Sequence, residues 1–412
     1  MPPALDLDFV RSLYPAKCWD WAFFENAGGS YVPESVVQRI AAYMRENQVQ
    51  PGAGFAPSAL AAERMAEGHR LMAELVNAGE DEVIIGPSTT MNVYVLANAL
   101  LPLIGPGGEV VVTNLDHEAN VGAWRRLAER GVTVREWQVD PETGELGLDL
   151  LDRLLNENTR LVCFSHCSNI LGGINDVPEI VRRVHAAGAL ACVDGVAFAA
   201  HRPIDVKALD VDFYGLSYYK LFGPHLAMMH GKREHLLRAK AQNHYFIGDG
   251  EIPLKLNPGG PNHELSAALV GIADYFEALA GHHLPAPPNA FRDRATAVYG
   301  LIAEHEQGLA ARFLDFAASK KPAIRLLGRR AAAVGTRAPT FSFTVAGRRS
   351  AEIPPLLEPA RIAVRNGNFY APRLLAALGI ADAADGVVRV SMAHYNTVDE
   401  VDRLIEGLDR VL

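Results

Sequence analysis

Four cysteines, Cys18, Cys163, Cys167 and Cys192, are all that 412 residues contain, and no two form a CxxC pair. Neither a disulfide framework nor structural zinc is indicated, no metal site is expected, and a reducing compartment fits. Positive charge is not in excess either: 39 Lys plus Arg stand against 48 Asp plus Glu, a net charge of −9. That leaves no electrostatic footprint for nucleic acid or an anionic membrane surface, so small molecules or protein partners are expected. Apolar runs are short. The stretch from Gly188 to Ala200 is broken by Asp194, and nothing reaches the roughly 18 consecutive apolar residues of a membrane span. The opening MPPALDLDFVRSLYP has early acidic residues and lacks the apolar core of a secretory signal, so a cytoplasmic chain is expected. Also missing are the GxxxxGK[ST] of a triphosphate loop, a GxGxxG after the first strand and a GxSxG nucleophile elbow.

What is present is a large soluble core: 49% of residues are hydrophobic and 21% charged, enough for one large domain and a second, smaller one. Short β-branched runs predict strands at Val83–Ile85, Glu109–Thr113, Thr133–Trp137, Arg160–Ser165, Ala189–Asp194, Val211–Leu216 and Leu226–His230. Helical periodicity falls between them at Met91–Leu101, Ala119–Arg130, Leu148–Asn156 and Pro178–Ala187. Alternation of this kind predicts an α/β fold with a mostly parallel sheet covered on both faces. The proline-rich HLPAPPN (283–289) precedes a long helical segment from Arg292 to Ser319, then strands at Thr340–Val345 and Val387–Met392 and a last helix at Val398–Val411. The expected organisation is therefore a segment 1–25 packing with the small domain, a large domain 26–285 and a small α+β domain 286–412.

In a doubly wound sheet, ligands bind beyond the carboxyl ends of the strands. Five predicted strand ends carry polar groups there: Ser88-Thr89-Thr90, Asp116-His117, His166-Cys167-Ser168-Asn169, Asp194 and Ser217-Tyr218-Tyr219-Lys220. The Ser-Thr-Thr turn opens a helix and suits a phosphate, or is a plain N-cap. Asp194, at the end of an apolar strand, needs a cationic or hydrogen-bonded partner or serves as a cap. Lys220 is an imine-forming nucleophile in a partly apolar pocket, or a surface cation. Taken together, an amine, a carboxylate and a phosphate cup match the needs of pyridoxal phosphate.

These residues lie in blocks whose order resembles one family over nearly the whole chain. The blocks are Asn26-Ala27-Gly28-Gly29, DHEANVGAW (116–124), SHCSNILGGIND (165–176), VDGVAFAAHRPIDV (193–206), SYYKLFGPH (217–225), IAVRNGNFYAP (362–372) and VRVSMAHYNT (388–397). They resemble the class V aminotransferases, fold-type I pyridoxal phosphate enzymes with a seven-stranded sheet, and within them the cysteine desulfurase-like branch. The resemblance implies that Lys220 links covalently to the cofactor aldehyde, that Asp194 pairs with the pyridine nitrogen and that His117 stacks on the ring. It further implies that Asn169 bonds the ring hydroxyl, that Thr89, Thr90 and Ser217 hold the phosphate, and that Arg389 takes the substrate α-carboxylate, unless it is a salt bridge at the domain seam. Asn26, Tyr370 and His394 complete the implied substrate side, with loop packing and an internal hydrogen bond as the alternatives for Tyr370 and His394. A homodimer is implied.

The chain also departs from that branch. Tyr370 stands where desulfurases carry a nucleophilic cysteine, and no cysteine lies beyond Cys192; a phenol with a pKa near 10 does not replace a thiolate. Ala197 replaces a frequent glutamine, Tyr219 a histidine, and Gly260 a threonine offered to the partner's phosphate. A small amino-acid substrate is thus expected, with transamination or C–S-lyase-type β-elimination and no persulfide. The alternatives are an amino-acid racemase or epimerase of the same family and a non-catalytic binding protein of the same fold.

Overall fold

A computed structural model describes residues 4–412. Its thirteen strands, in chain order, are β1 (Ala22–Phe23), β2 (Val83–Gly86), β3 (Glu109–Thr113), β4 (Thr133–Trp137), β5 (Thr159–Ser165), β6 (Leu190–Asp194), β7 (Phe213–Ser217), β8 (Ala227–Gly231), β9 (Ile324–Leu326), β10 (Thr340–Val345), β11 (Ile362–Ala363), β12 (Arg365–Gly367) and β13 (Val387–Ser391). Strands β2 to β8 form one seven-stranded sheet in the order β2-β8-β7-β6-β5-β3-β4. Pairs among β3 to β7 are parallel, and β8 runs antiparallel to both its neighbours. The fold is α/β and mostly parallel, with helices covering the sheet. Strands β2, β3, β7 and β8 are buried at every position, whereas edge strand β4 is buried only at Trp137. This is the pattern of a sheet covered on two faces, where alternation disappears; of the two edge strands, β2 is covered and β4 is not.

All seven predicted strands form: Glu109–Thr113 and Thr133–Trp137 keep their expected bounds, and the other five shift by one or two residues at one or both ends. The largest shift is at β7, which begins at Phe213 rather than Val211. Just before that start, the buried Asp212 carboxylate accepts from the Ala191 amide at 2.7 Å and meets His185 at 2.8 Å and His235 at 2.9 Å, clipping neighbouring segments together.

A four-stranded sheet, β12-β13-β10-β9, builds the smaller unit, and β1 from the N-terminal segment pairs in parallel with β11 beside it. The junction differs from the expected break near 285. The helix Phe291–Ser319 is continuous; Phe291, Val298 and Ile302 pack in the large core, while Leu309, Phe313 and Leu314 pack in the small one. Prolines before the helix set its start, but the side-chain faces along it decide which core it joins. The N-terminal segment is likewise divided: Val10 and Tyr14 belong to the large core, Ala22 and Phe24 to the small.

Register brings the site together. Asp194 pairs with Ser165 on one side and Gly215 on the other. Ser217 pairs with Ala227, which pairs with Gly86. The exits of β2, β5, β6 and β7 therefore share one edge of the sheet. Gly195, directly after Asp194, admits no side chain, because a Cβ there would lie 2.1 Å from the Tyr214 hydroxyl.

Candidate active site

One cavity at that edge is lined by Ser88, Thr89, Thr90, His117, Asn169, Asp194, Ser217 and Lys220. At one end, Ser88 caps the helix Thr89–Ile104, accepting from the Met91 amide at 3.2 Å. The Thr89 and Ser217 hydroxyls meet at 2.7 Å, and Thr90 is exposed on the same turn. The turn is thus both an N-cap and the wall of a cavity at a positive helix end.

Asp194 is 7% exposed. One of its oxygens accepts from the Val196 amide at 2.8 Å; the other has no hydrogen-bond partner among the described residues. Burial pushes the carboxyl up to about 6, against the opposing Val196 hydrogen bond. Lys220 is buried too, which removes the surface-cation alternative, and its Nζ makes no hydrogen bond among the described residues. Burial, with Arg389 nearby, brings its ammonium down to about 8, while Asp194 and Glu25 pull the other way. His117 caps the helix Glu118–Arg126 by accepting the Ala119 amide on Nδ1 at 3.0 Å, so its proton sits on Nε2. Burial, then Lys220 and Arg389, holds this ring neutral at about 3.

A second cavity, sharing His117, Asn169, Tyr219 and Lys220 with the first, is lined also by Gly28, Arg365, Phe369, Tyr370 and Arg389. The Asn169 side chain donates to the Phe369 carbonyl at 3.0 Å, and the Tyr370 carbonyl accepts from the Glu118 amide at 2.7 Å. These two bonds fasten the loop that carries Tyr370 over the site. Phe369 and Tyr370 both take left-handed backbone angles, φ 48° and 59°, uncommon for bulky residues and a mark of a loop shaped by its contacts. The Tyr370 ring lies 5.2 Å from that of His117 and is exposed. Arg389 lies at the cavity and is also the seam ion pair: it donates to Glu25 at 2.7 Å.

The sequence model for aminotransferase class V matches residues 22–250 and 300–404. The chain belongs to that family. The aminotransferase-like protein FGM3 of Gibberella zeae is 38% identical over 99% of each chain. The cysteine desulfurase-like protein ustD of Aspergillus flavus is 33% identical, over 99% of this chain and 91% of its own. Among solved structures, the Escherichia coli cysteine desulfurase CsdA in its S-sulfonic acid form superposes with a TM-score of 0.80 at 26% identity, covering 98% of each chain. As a class V aminotransferase the protein is a fold-type I, pyridoxal phosphate-dependent enzyme.

The cavity fits that cofactor on its own terms. A buried carboxylate with one unsatisfied oxygen wants a cation, which a pyridinium nitrogen supplies; a buried amine without an acceptor faces the same space; and the Ser165 hydroxyl, also in the lining, is buried without a partner. Two expected substrate residues are placed elsewhere. His394 is fully buried, 2.5 Å from the Tyr275 hydroxyl and packed against Phe222, and does not line the cavity. Asn26 lines only a small adjoining space, and its amide is spent on the Phe23 and Ser391 carbonyls, Asn396 and the Tyr395 hydroxyl. Both side chains tie segments together. Glu25 and Phe369 were not anticipated; adjacency to Asn26 and Tyr370 was their one sequence signal.

Among the described residues no helix is long and apolar enough to cross a membrane, and no cluster of three or more His, Cys, Asp or Glu side chains could hold a metal ion.

Proposed function

We propose that this enzyme acts on a small α-amino acid by transamination or β-elimination, without a persulfide on its own cysteine. The observation that carries the reading is what stands over the substrate side: the exposed phenol of Tyr370, 5.2 Å from His117, in a loop without cysteine. The nearest thiol, Cys167, is buried beneath, points at the Gly172 carbonyl at 3.4 Å, and is pushed by burial up to about 12. A thiol so held is a poor nucleophile.

Pyridoxal phosphate supplies an electron sink for the bond broken at Cα. The residues divide the remaining work. Arg389 orients the α-carboxylate. Asp194 keeps the ring nitrogen's proton, and Thr89, Thr90 and Ser217 fix the phosphate. Lys220, whose ammonium burial brings down to about 8, would serve as the base for the α-proton. His117, neutral with its proton on Nε2, would lie against the bound ring without adding charge. With His394 engaged by Tyr275, a racemase would have Tyr370 alone as its second acid, which favours the transferase and lyase readings. Tyr245 and Phe246, both strongly exposed on one loop, support a homodimer, which sedimentation tests.

The experiment is to incubate the loaded enzyme with L-cysteine and other small amino acids, follow keto-acid and alanine release, and map all four cysteines by mass spectrometry. Keto acid with unmodified cysteines is expected. Alanine accompanied by a persulfide on any cysteine overturns the reading.

A further inference from the structure

Arg389 and Arg365 are direct cross-strand partners on β13 and β12. Like charges placed opposite each other in an antiparallel pair repel; Arg389 is 2% exposed and poorly screened, whereas the Arg365 side chain is 63% exposed. Glu25 is placed to resolve this. Its backbone bridges Ser391, two residues along β13 from Arg389, and its Oε1 lies 2.7 Å from one Arg389 nitrogen and 3.9 Å from Arg365. Room for the carboxylate is built in, since a Cβ on Gly28 would fall 1.7 Å from Glu25 Oε2. Two more contacts hold the same guanidinium: a bond from its other terminal nitrogen to the Asn169 carbonyl at 3.2 Å, and the Phe369 ring, 3.8 Å beneath its plane. Arg389 Nε is buried without a partner, so the plane is set from three sides although the donor set is not saturated.

We propose that Glu25 is a positioning residue for the substrate carboxylate, acting through Arg389, with Phe369 as the platform that fixes the guanidinium plane. This rests on the reading that Arg389 binds the carboxylate. Glu25 neutralises the opposed pair of arginines, so that Arg389 keeps one orientation and presents its remaining N–H groups to the cavity. Without that carboxylate the buried guanidinium turns away from Arg365 and from the substrate. A fixed fork matters because a bidentate carboxylate contact depends on alignment.

The probe is propionate, a carboxylate that has no amine to react, titrated into the loaded enzyme and followed by the cofactor's visible absorbance, with propionamide as the uncharged control. Glu25→Ala is expected to weaken propionate about tenfold, the scale of a lost charge-assisted hydrogen bond, and to leave propionamide unchanged. Glu25→Gln, which keeps an acceptor oxygen but loses the charge, is expected to recover only part of that loss, binding propionate about two- to threefold more weakly than the parent, with an unaltered melting temperature. Propionate binding that is unchanged or tighter in Glu25→Ala overturns the proposal, because Glu25 would then be a bystander or a competitor. If Glu25→Ala does not fold, Glu25→Gln decides: a loss of about two- to threefold supports the role, and no loss or a gain overturns it. Arg389→Lys separates the two levels. Unchanged propionate binding in Arg389→Lys removes the underlying reading, whereas loss there with none at Glu25 removes this proposal alone.

Discussion

At the cofactor end of the cavity, Asp194, Ser217 and Lys220 leave neighbouring strands of one sheet, and two of their polar atoms, the second Asp194 oxygen and Lys220 Nζ, have no hydrogen-bond partner among the described residues. At the other end, the hydrogen bonds that join Arg389 to Glu25 and to Asn169, and Asn169 to Phe369, span 200 to 364 residues of sequence. The first region is held by the sheet and waits for a ligand to complete it. The second is held by its own contacts, so substrate recognition depends on pieces that have no local reason to meet.

The contrast is broken most sharply at Asp194. Asp194→Asn is expected to reduce turnover by at least about a hundredfold, on the scale of losing a buried electrostatic partner of the reacting system, with little change in propionate affinity measured by the absorbance titration. Comparable losses in both would mean that the two ends are not separable.

A second test uses the cofactor end before the cofactor binds. The rate at which cofactor-free protein captures pyridoxal phosphate is expected to rise with pH about a midpoint near 8, the depressed value of Lys220, rather than near the ordinary ~10.4. In Asp194→Asn the midpoint is expected to fall further, since the carboxylate favours the ammonium. Stability carries the opposite signature. The Asp194 carboxyl holds its proton more tightly folded than unfolded, about 6 against 3.8, so unfolding releases a proton between these values. Cofactor-free protein therefore loses stability as pH rises across that window, by roughly 1–3 kcal/mol, and Asp194→Asn is expected to remove the slope in urea-denaturation series.

Asn26 and Tyr370 sharpen the comparison at the other end. Asn26→Ala deletes a buried amide that ties the N-terminal segment to β13 and its exit, and is expected to cost about 2 kcal/mol in chemical denaturation while changing propionate binding less than twofold. The smallest effect belongs to Tyr370→Phe. Transamination and elimination do not need its hydroxyl, so kcat within about threefold of the parent is expected, and a much larger loss would favour racemisation.

How much of this was legible in the sequence follows the same division. Strand exits were readable because β-branched runs ending in Asp194 or Ser217 carry their own period and stop signals, and the register of a parallel sheet then places them together. The helix Phe291–Ser319 showed the limit: its start was visible in the preceding prolines, but its membership in two cores was not, because that depends on which faces its neighbours cover. Arg389 was legible as a candidate for either of two roles and has features of both. His394 and Asn26 misled because motif membership does not distinguish a side chain that faces a ligand from one that ties two segments. Glu25 was invisible because the group it serves lies 364 residues away.

The central claim is that Lys220 and Asp194 form a self-sufficient cofactor end. Borohydride reduction of the loaded enzyme followed by peptide mapping tests it most directly, with Arg389→Lys treated alongside. The expected result is a single reduced cofactor adduct on the Lys220 peptide in both proteins. An adduct on another lysine, or loss of the Lys220 adduct when only Arg389 is changed, would contradict it.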